Sequence, residues 1–145
     1  MNEEEPPNRG EGETVRAAFV DHLTLRVRDL EASRRFYREA LSPWGSREVV
    51  EENGDISFGP QGSEDLAIVA GEPSGPIHLA FAAPDRETVD RFYAAALAAG
   101  GRDNGGPGER PHYHPGYYAA YATDPDGNNV EAVYHGRPAS TSETI

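Results

Sequence analysis

The stretch His22–Leu41, HLTLRVRDLEASRRFYREAL, returns 56 residues later as His78–Leu97, HLAFAAPDRETVDRFYAAAL, with no gap between the copies. Nine of the twenty positions are identical: His22/His78, Leu23/Leu79, Asp29/Asp85, Glu31/Glu87, Arg35/Arg91, Phe36/Phe92, Tyr37/Tyr93, Ala40/Ala96 and Leu41/Leu97. Chance gives about one or two matches in such a window, so the pair records a duplication, and a repeat of this kind sets the architecture before any local reading does. Two copies of one supersecondary unit imply pseudo-symmetry. Side chains at matching positions can then converge on the axis between the copies, and His22 and His78 are such a pair.

Each copy reads as a strand feeding a helix. Over Phe19–Val27, Leu23, Leu25 and Val27 fall on one face and His22, Thr24 and Arg26 on the other, the alternation of a strand buried on one side. Asp29 suits the cap of a helix over Leu30–Leu41, whose Phe36, Tyr37, Ala40 and Leu41 recur at helical spacing, and Ser42-Pro43 ends it. Short strands are expected around Arg47–Glu52, Asp55–Gly59 and Asp65–Ala70, with turns at Asn53-Gly54 and Gly59–Gly62. The unit then restarts. Ile77, Leu79 and Phe81 face one way and His78, Ala80 and Ala82 the other, and Asp85 caps a helix over Arg86–Ala99 closed by Gly100-Gly101. A weak strand near Gly101–Asn104, a Gly/Pro-rich loop over Asn104–Pro115 and strands over Gly116–Thr123 and Asn128–Tyr134 complete it. The fold class is α+β: two tandem βαβββ modules forming a curved mixed sheet, helices on the convex face and a pocket on the concave one.

Composition narrows the classes of partner. At 145 residues the chain holds one domain with a real core, over 17–135, with modules at about 18–71 and 75–135. Segment 1–16, with five carboxylates among residues 3–13, reads as a disordered acidic tail, and 136–145 as a flexible one. Cysteine is absent, which removes disulfides, thiolate metal sites and a cysteine nucleophile, and suits a cytoplasmic setting. The N-terminal segment reads as neither a signal peptide nor a membrane span. The net charge of −12 disfavours nucleic acid and anionic membrane as partners.

His22 and His78 both lie on the strand face opposite their apolar neighbours, away from where the helices pack. A third residue joins them: Glu131, mid-strand in Val130-Glu131-Ala132-Val133, where an uncompensated buried carboxylate costs several kcal/mol. Two neutral imidazoles and a carboxylate suit a divalent transition metal and leave positions for water or substrate. Asp29, Glu31, Arg35, Phe36, Tyr37 and their copies repeat as well, but as helix caps and helix–sheet core.

Taken together, DHLTLRVRDLEASRRFYREAL (21–41), HLAFAAPDRETVDRFYAAAL (78–97) and DPDGNNVEAVYH (124–135) resemble the vicinal oxygen chelate superfamily, which includes glyoxalase I, fosfomycin-resistance proteins, extradiol dioxygenases, methylmalonyl-CoA epimerase and bleomycin-resistance proteins. The resemblance spans about residues 18–135 and is specific for the fold, not for an activity. It implies ligands on the first and last strands of each module: His22, His78 and Glu131. Aligning Leu66–Val69 with Val130–Val133 puts Ala67 at the remaining position. Ala67 supplies no carboxylate or amide, which argues against glyoxalase-type isomerisation and epimerisation. The set of two histidines and one carboxylate looks more like the fosfomycin-resistance transferases or the dioxygenases. The usual dioxygenase has twice as many such units, and the basic residues a phosphonate would need cluster mainly on the first helix.

The run Arg110–Tyr118, RPHYHPGYY, looks like a substrate lip. His114 and Tyr117 are candidate proton donors or acceptors, and His112, Tyr113 and Tyr118, with Thr24 and Arg26 on the His22 face, are candidate substrate contacts. A rim salt bridge is the plainer expectation for Arg26, and simple exposure for His135. The reading is a small metal-dependent enzyme (lyase/isomerase, transferase or dioxygenase-like) acting on a compact oxygen-rich metabolite or antibiotic. Its divalent ion is zinc, manganese, nickel or iron, and it is expected to form a homodimer. The alternative is a metal-free protein that sequesters an antibiotic or aromatic ligand in the same groove.

Overall fold

A computed structural model describes residues 19–136. The tails expected over 1–16 and 136–145 lie outside it, Gly136 excepted. Strand β1 (Leu23–Val27) turns Leu25 and Val27 into the core and leaves Thr24 and Arg26 exposed. The Asp29 carboxylate accepts from the Ala32 N–H at 3.1 Å and starts helix α1 (Leu30–Ala40), which buries a stripe of Ser33, Phe36, Tyr37 and Ala40. A short 3-10 turn, Ser42–Trp44, ends it at the proline. Strands β2 (Ser46–Val50), β3 (Ile56–Pro60) and β4 (Leu66–Ala70) follow as an antiparallel meander, and β4 closes on β1 in parallel, giving the order β1-β4-β3-β2.

The second module repeats the plan. Strand β5 (His78–Ala82) leads to helix α2 (Arg86–Ala98), where Asp85 accepts from the Thr88 N–H at 2.7 Å, the same device as Asp29. Strands β6 (Arg102–Asp103), β7 (Gly108–Glu109), β8 (Tyr118–Thr123) and β9 (Asn129–Tyr134) complete a sheet ordered β5-β9-β8-β6, with β7 also on β8. The stretch expected as loop therefore contains a strand, β7, too short and too glycine-rich to alternate visibly, and β8 starts at Tyr118 rather than Gly116. The expected two-module α+β arrangement is present, each module contributing its own mixed sheet, and among the described residues no strand of one pairs with a strand of the other.

The two parallel ladders have the same register. Thr24 stands opposite Ala67 in the first module, and Ala80 opposite Glu131 in the second. Since Thr24 and Ala80 each lie two residues past the paired histidines, Ala67 and Glu131 are structural equivalents. The modules meet through their helices. Arg35 donates to the Ala98 carbonyl at 3.0 Å, and the Trp44 ring packs on Phe81 and Phe92 while its N–H donates to the Ala82 carbonyl at 2.8 Å. Gly101 is fixed by close approach, since a Cβ there would lie 2.6 Å from the Phe36 ring and 2.7 Å from the Ala96 carbonyl oxygen. One hydrophobic core runs through both modules, and the face of each sheet opposite the helices is turned outward. No helix among the described residues is long and apolar enough to cross a membrane.

The turn Asp124-Pro125-Asp126-Gly127 carries a buried carboxylate that crosses between modules. Asp124 accepts from the Tyr37 hydroxyl at 2.5 Å, from the Asn128 side chain at 2.8 Å and from the backbone N–H groups of Asn128 and Asp126. Asn128 in turn accepts from the Ile77 N–H at 2.9 Å. Replacing Tyr37 by Phe removes one donor from a charge buried away from solvent. The expected loss is about 1–3 kcal/mol of unfolding free energy, read as a lower urea midpoint with an unchanged slope. An unchanged midpoint would show that Tyr37 contributes packing alone.

Candidate functional site

On the open face of the second sheet, alternation brings Glu131, Tyr121 and Ala80 to one level, since Tyr121 and Ala80 flank Glu131 on its two neighbouring strands. Glu131 is only 1% exposed, although this face is turned away from the core. Its neighbours bury it. The Tyr117 hydroxyl donates to Oε2 in a very short hydrogen bond, and Oε1 lies 2.6 Å from Nε2 of the half-exposed His78. The Tyr121 ring stands 6.2 Å from the His78 ring. Burial first, then the bond to Glu131, pushes the Tyr117 hydroxyl far above the ordinary phenol range. Burial and the nearby Glu131 charge push Tyr121 up to about 12. Both phenols stay protonated at neutral pH, so Tyr117 acts as a donor that holds Glu131 in place.

His22 does not join this cluster. It sits on the open face of the first sheet, where Nδ1 is 2.8 Å from Asp21 Oδ1. It borders a cavity of about 370 Å³ lined by Asp21, Ser57, Ser63, Glu64, Asp65 and Ala67. Ala67 and Ser57 are neighbours across β3 and β4, so this half presents a methyl and a hydroxyl where the other half presents Glu131 and its partners. Thr24 and Arg26 are exposed on the same sheet; Arg26 lays its aliphatic stem against Gly71 and forms no ion pair among the described residues. Among the described residues, no three histidine or carboxylate side chains of one chain gather closely enough to hold a metal.

The 110–118 lip divides by strand parity. Tyr117 falls on the Glu131 face. Tyr118 falls on the helix face, where its hydroxyl donates to Asp90 at 2.6 Å and Arg86 lies 4.7 Å above its ring, so the structure does not bring it to the site. His112, Tyr113 and Tyr117 form a ladder of rings 4.2 and 4.8 Å apart, with Tyr113 59% exposed. His114 does not reach Glu131. Its Nδ1 is 2.8 Å from the Pro115 carbonyl oxygen and its Nε2 2.9 Å from His135 Nδ1, and both imidazoles stand edge-on to Tyr117. His135, expected to be merely exposed, is the partner of His114 across the β8–β9 hairpin. Tyr121 escaped the sequence reading as well. Its signal was the hairpin itself, which fixes Tyr121 opposite Glu131 once the Asp124–Gly127 turn is recognised.

The donor chemistry of His78 and Glu131 suits a divalent ion. Two ligands of one tetrahedral zinc-sized ion, with bonds of about 2.0–2.2 Å, stand about 3.3–3.6 Å apart. The pair, now 2.6 Å apart, therefore needs to open by about 0.7–1 Å. Tyr117 on the second carboxylate oxygen is the kind of outer partner that orients a ligating carboxylate. His78 and Glu131 are two donors, and His22 is a third at the matching register of the other module.

A sequence profile of the glyoxalase/bleomycin resistance protein/dioxygenase superfamily matches residues 19–132. The uncharacterized protein YqjT of Bacillus subtilis (strain 168) is 32% identical over 133 residues, covering 79% of this chain and 97% of that protein. A crystal structure of a glyoxalase/bleomycin resistance protein from Albidiferax ferrireducens T118 is similar with a TM-score of 0.69 at 30% identity, covering 81% of this chain and 98% of that one. A glyoxalase-related enzyme from Fulvimarina pelagi gives a TM-score of 0.63 at 27% identity, with 87% and 96% covered. The repeated strand–helix units, the shared register of their last strands and this similarity lead to one conclusion: the chain belongs to the glyoxalase/bleomycin resistance protein/dioxygenase superfamily.

Proposed function

We propose that the protein is a metal-dependent enzyme whose site is completed between two copies of the chain. In this reading, one protomer supplies His78 and Glu131 and its partner supplies His22. The observation that carries the reading is the Glu131 carboxylate, buried on an outward face, with Tyr117 on one oxygen and the His78 imidazole on the other. A carboxylate is not desolvated on a sheet surface without compensation. His78 and Tyr117 orient the carboxylate from its two oxygens, and neither carries a fixed positive charge to balance it. A divalent ion (zinc, manganese, nickel or iron) would cancel the carboxylate charge and supply Lewis-acid polarisation of a chelating, oxygen-rich substrate.

The chain's own groups have separate tasks. Tyr117 keeps its proton and fixes the Glu131 rotamer. Tyr121 stands beside His78 and Tyr113 lies against Tyr117, so both rings flank the site. Thr24 and Ser57 stand in the half that carries His22 and offer hydroxyl donors to a polar substrate, while the Ser63 hydroxyl donates to the Pro60 carbonyl. With Ala67 where a further carboxylate would sit, no second acid–base group flanks the site from that strand. This favours addition or transfer at a chelated substrate over proton shuttling. A second reading, a metal-free protein that sequesters an aromatic ligand, draws on the His112–Tyr113–Tyr117 ladder.

Metal analysis and zinc titration of tag-free protein separate the readings. Tyr117→Phe frees Oε2 and is expected to weaken zinc binding about 10–100-fold, the usual effect of losing an outer partner. Glu131→Ala is expected to cost more than that, with the fold intact. Wild type that binds none of zinc, manganese, nickel or iron, or Glu131→Ala that binds the metal as tightly, sinks the enzyme reading and leaves the sequestration reading. A mixing experiment tests the shared site: chains carrying His22→Ala and chains carrying Glu131→Ala each bind poorly alone. Refolded together, they regain binding, because one site of each mixed dimer has all its ligands. No recovery on mixing means the ligands are not contributed by two chains.

A further inference from the structure

Among the described residues Arg34 and Arg110 are the two partly buried arginines, the others being exposed. They are treated very differently. Arg34 is locked in a two-pronged ion pair with Glu48, at 2.5 and 2.9 Å. Arg110 has no carboxylate within salt-bridge reach among the described residues. Its Nη2 donates to the Gly106 carbonyl at 2.7 Å, and Nη1 makes a longer contact with the Glu109 carbonyl at 3.4 Å. Carbonyls orient a guanidinium but do not neutralise it, and most of the fork remains unspent. In a chain of net charge −12, a half-buried arginine left without a carboxylate needs an explanation beyond folding.

The surroundings hold the group in one place. Its carbon lies 5.5 Å from the centre of the Tyr121 ring, the ring that stands opposite Glu131 and 6.2 Å from His78. Glycines make the room. A Cβ at Gly108 would lie 3.0 Å from Nη1, and one at Gly105 would lie 3.4 Å from Nη2 and 3.0 Å from the Tyr121 ring. The backbone of Arg110 is fixed as well: its N–H donates to the Tyr117 carbonyl at 2.7 Å, and its carbonyl accepts from the Tyr113 N–H at 3.1 Å. The residue that anchors the Tyr113–Tyr117 segment thus also presents a preoriented cation beside the candidate site.

We infer that Arg110 is the receptor for an oxyanion carried by the substrate, a carboxylate or a phosphoryl group, bound at the Tyr121 edge of the His78–Glu131 site. A planar fork matches either group in two parallel hydrogen bonds, and the Tyr121 ring beneath it lowers the local dielectric, which strengthens the pair. The inference gives the charge class of the substrate and depends on the metal-site reading only for what lies next to it. The anion takes the place that Glu48 holds for Arg34.

Inorganic phosphate and acetate are the probes, titrated into the full-length protein as purified, with metal content measured for each variant. Wild type is expected to bind at least one of them, which also decides between the two sources of the oxyanion. Arg110→Gln is expected to weaken that binding at least about tenfold with metal content unchanged, and Arg110→Lys, which keeps the charge but not the fork, to fall between. Glu131→Ala, the variant that tests the metal site, is expected to keep the Arg110-dependent binding, so the two ideas fail separately. The inference is overturned if wild type binds neither probe or if Arg110→Gln binds as tightly as wild type. It is equally overturned if binding disappears in Glu131→Ala while surviving in Arg110→Gln, since the anion then sits on the metal. Should Arg110→Gln fail to fold, Arg110→Lys binding indistinguishably from wild type overturns it in the same way.

Discussion

The helix layer between the modules is the constraint on which the rest depends, and the Asp124 carboxylate is its pin. Tyr37, the largest fully buried side chain, spans from the first helix to a turn of the second module and meets a charge already held by Asn128 and two backbone N–H groups. A charge so placed tolerates little displacement, because every partner lost leaves a desolvated oxygen. The docking of α1 on α2 is therefore specific in register as well as apolar in substance. Each helix packs on its own sheet and on the other helix, and among the described residues His22 does not gather with His78 and Glu131. Convergence of the duplicated histidines on one ion would then need a second chain.

The two halves have diverged where chemistry would sit, and agree where packing sits. Asp29 and Asp85 cap in the same way, and Phe36 and Phe92 are both fully buried. The same register position is Ala67 in one sheet and Glu131 in the other. Around Glu131 the second module has gathered Tyr117, Tyr121 and His78, all from alternate positions of one sheet face. Around Ala67 the first module keeps Ser57 and a cavity edged by Asp21, Glu64 and Asp65. A duplicated fold needs its core twice, but a site shared between halves needs each group only once.

The fold was legible in the sequence because its signals were local and doubled. A histidine-led alternation followed by a capped amphipathic stripe defines a strand and a helix in either copy, and the gapless offset made each reading check the other. What escaped was non-local or too short. Strand β7 is two residues, glycine and glutamate, whose pairing is decided by Ala119 and Tyr118 across the sheet. Tyr117 and Tyr118 looked equivalent in a loop, yet one residue of parity puts the first on Glu131 and the second on Asp90. His135 meets His114 across a hairpin that joins residues 21 apart, a proximity that strand register sets and composition does not. The separation of His22 from its proposed companions lay furthest out of reach, since it depends on which faces the two helices share.

The cavity edge on the His22 half carries Asp21, Glu64 and Asp65, whereas the Glu131 half carries Arg110 on its tyrosine bed. If the two halves face each other across a pair of chains, a negative wall meets a surface with an uncommitted cation. That complementarity would offset part of the repulsion between two chains that each carry −12. It would also orient a ligand. An oxyanion is drawn to Arg110 and repelled from the opposite wall, which turns the rest of the molecule toward His78, Glu131 and the hydroxyl of Ser57. A single arginine left without a carboxylate would then set both which molecules enter and which way round they lie.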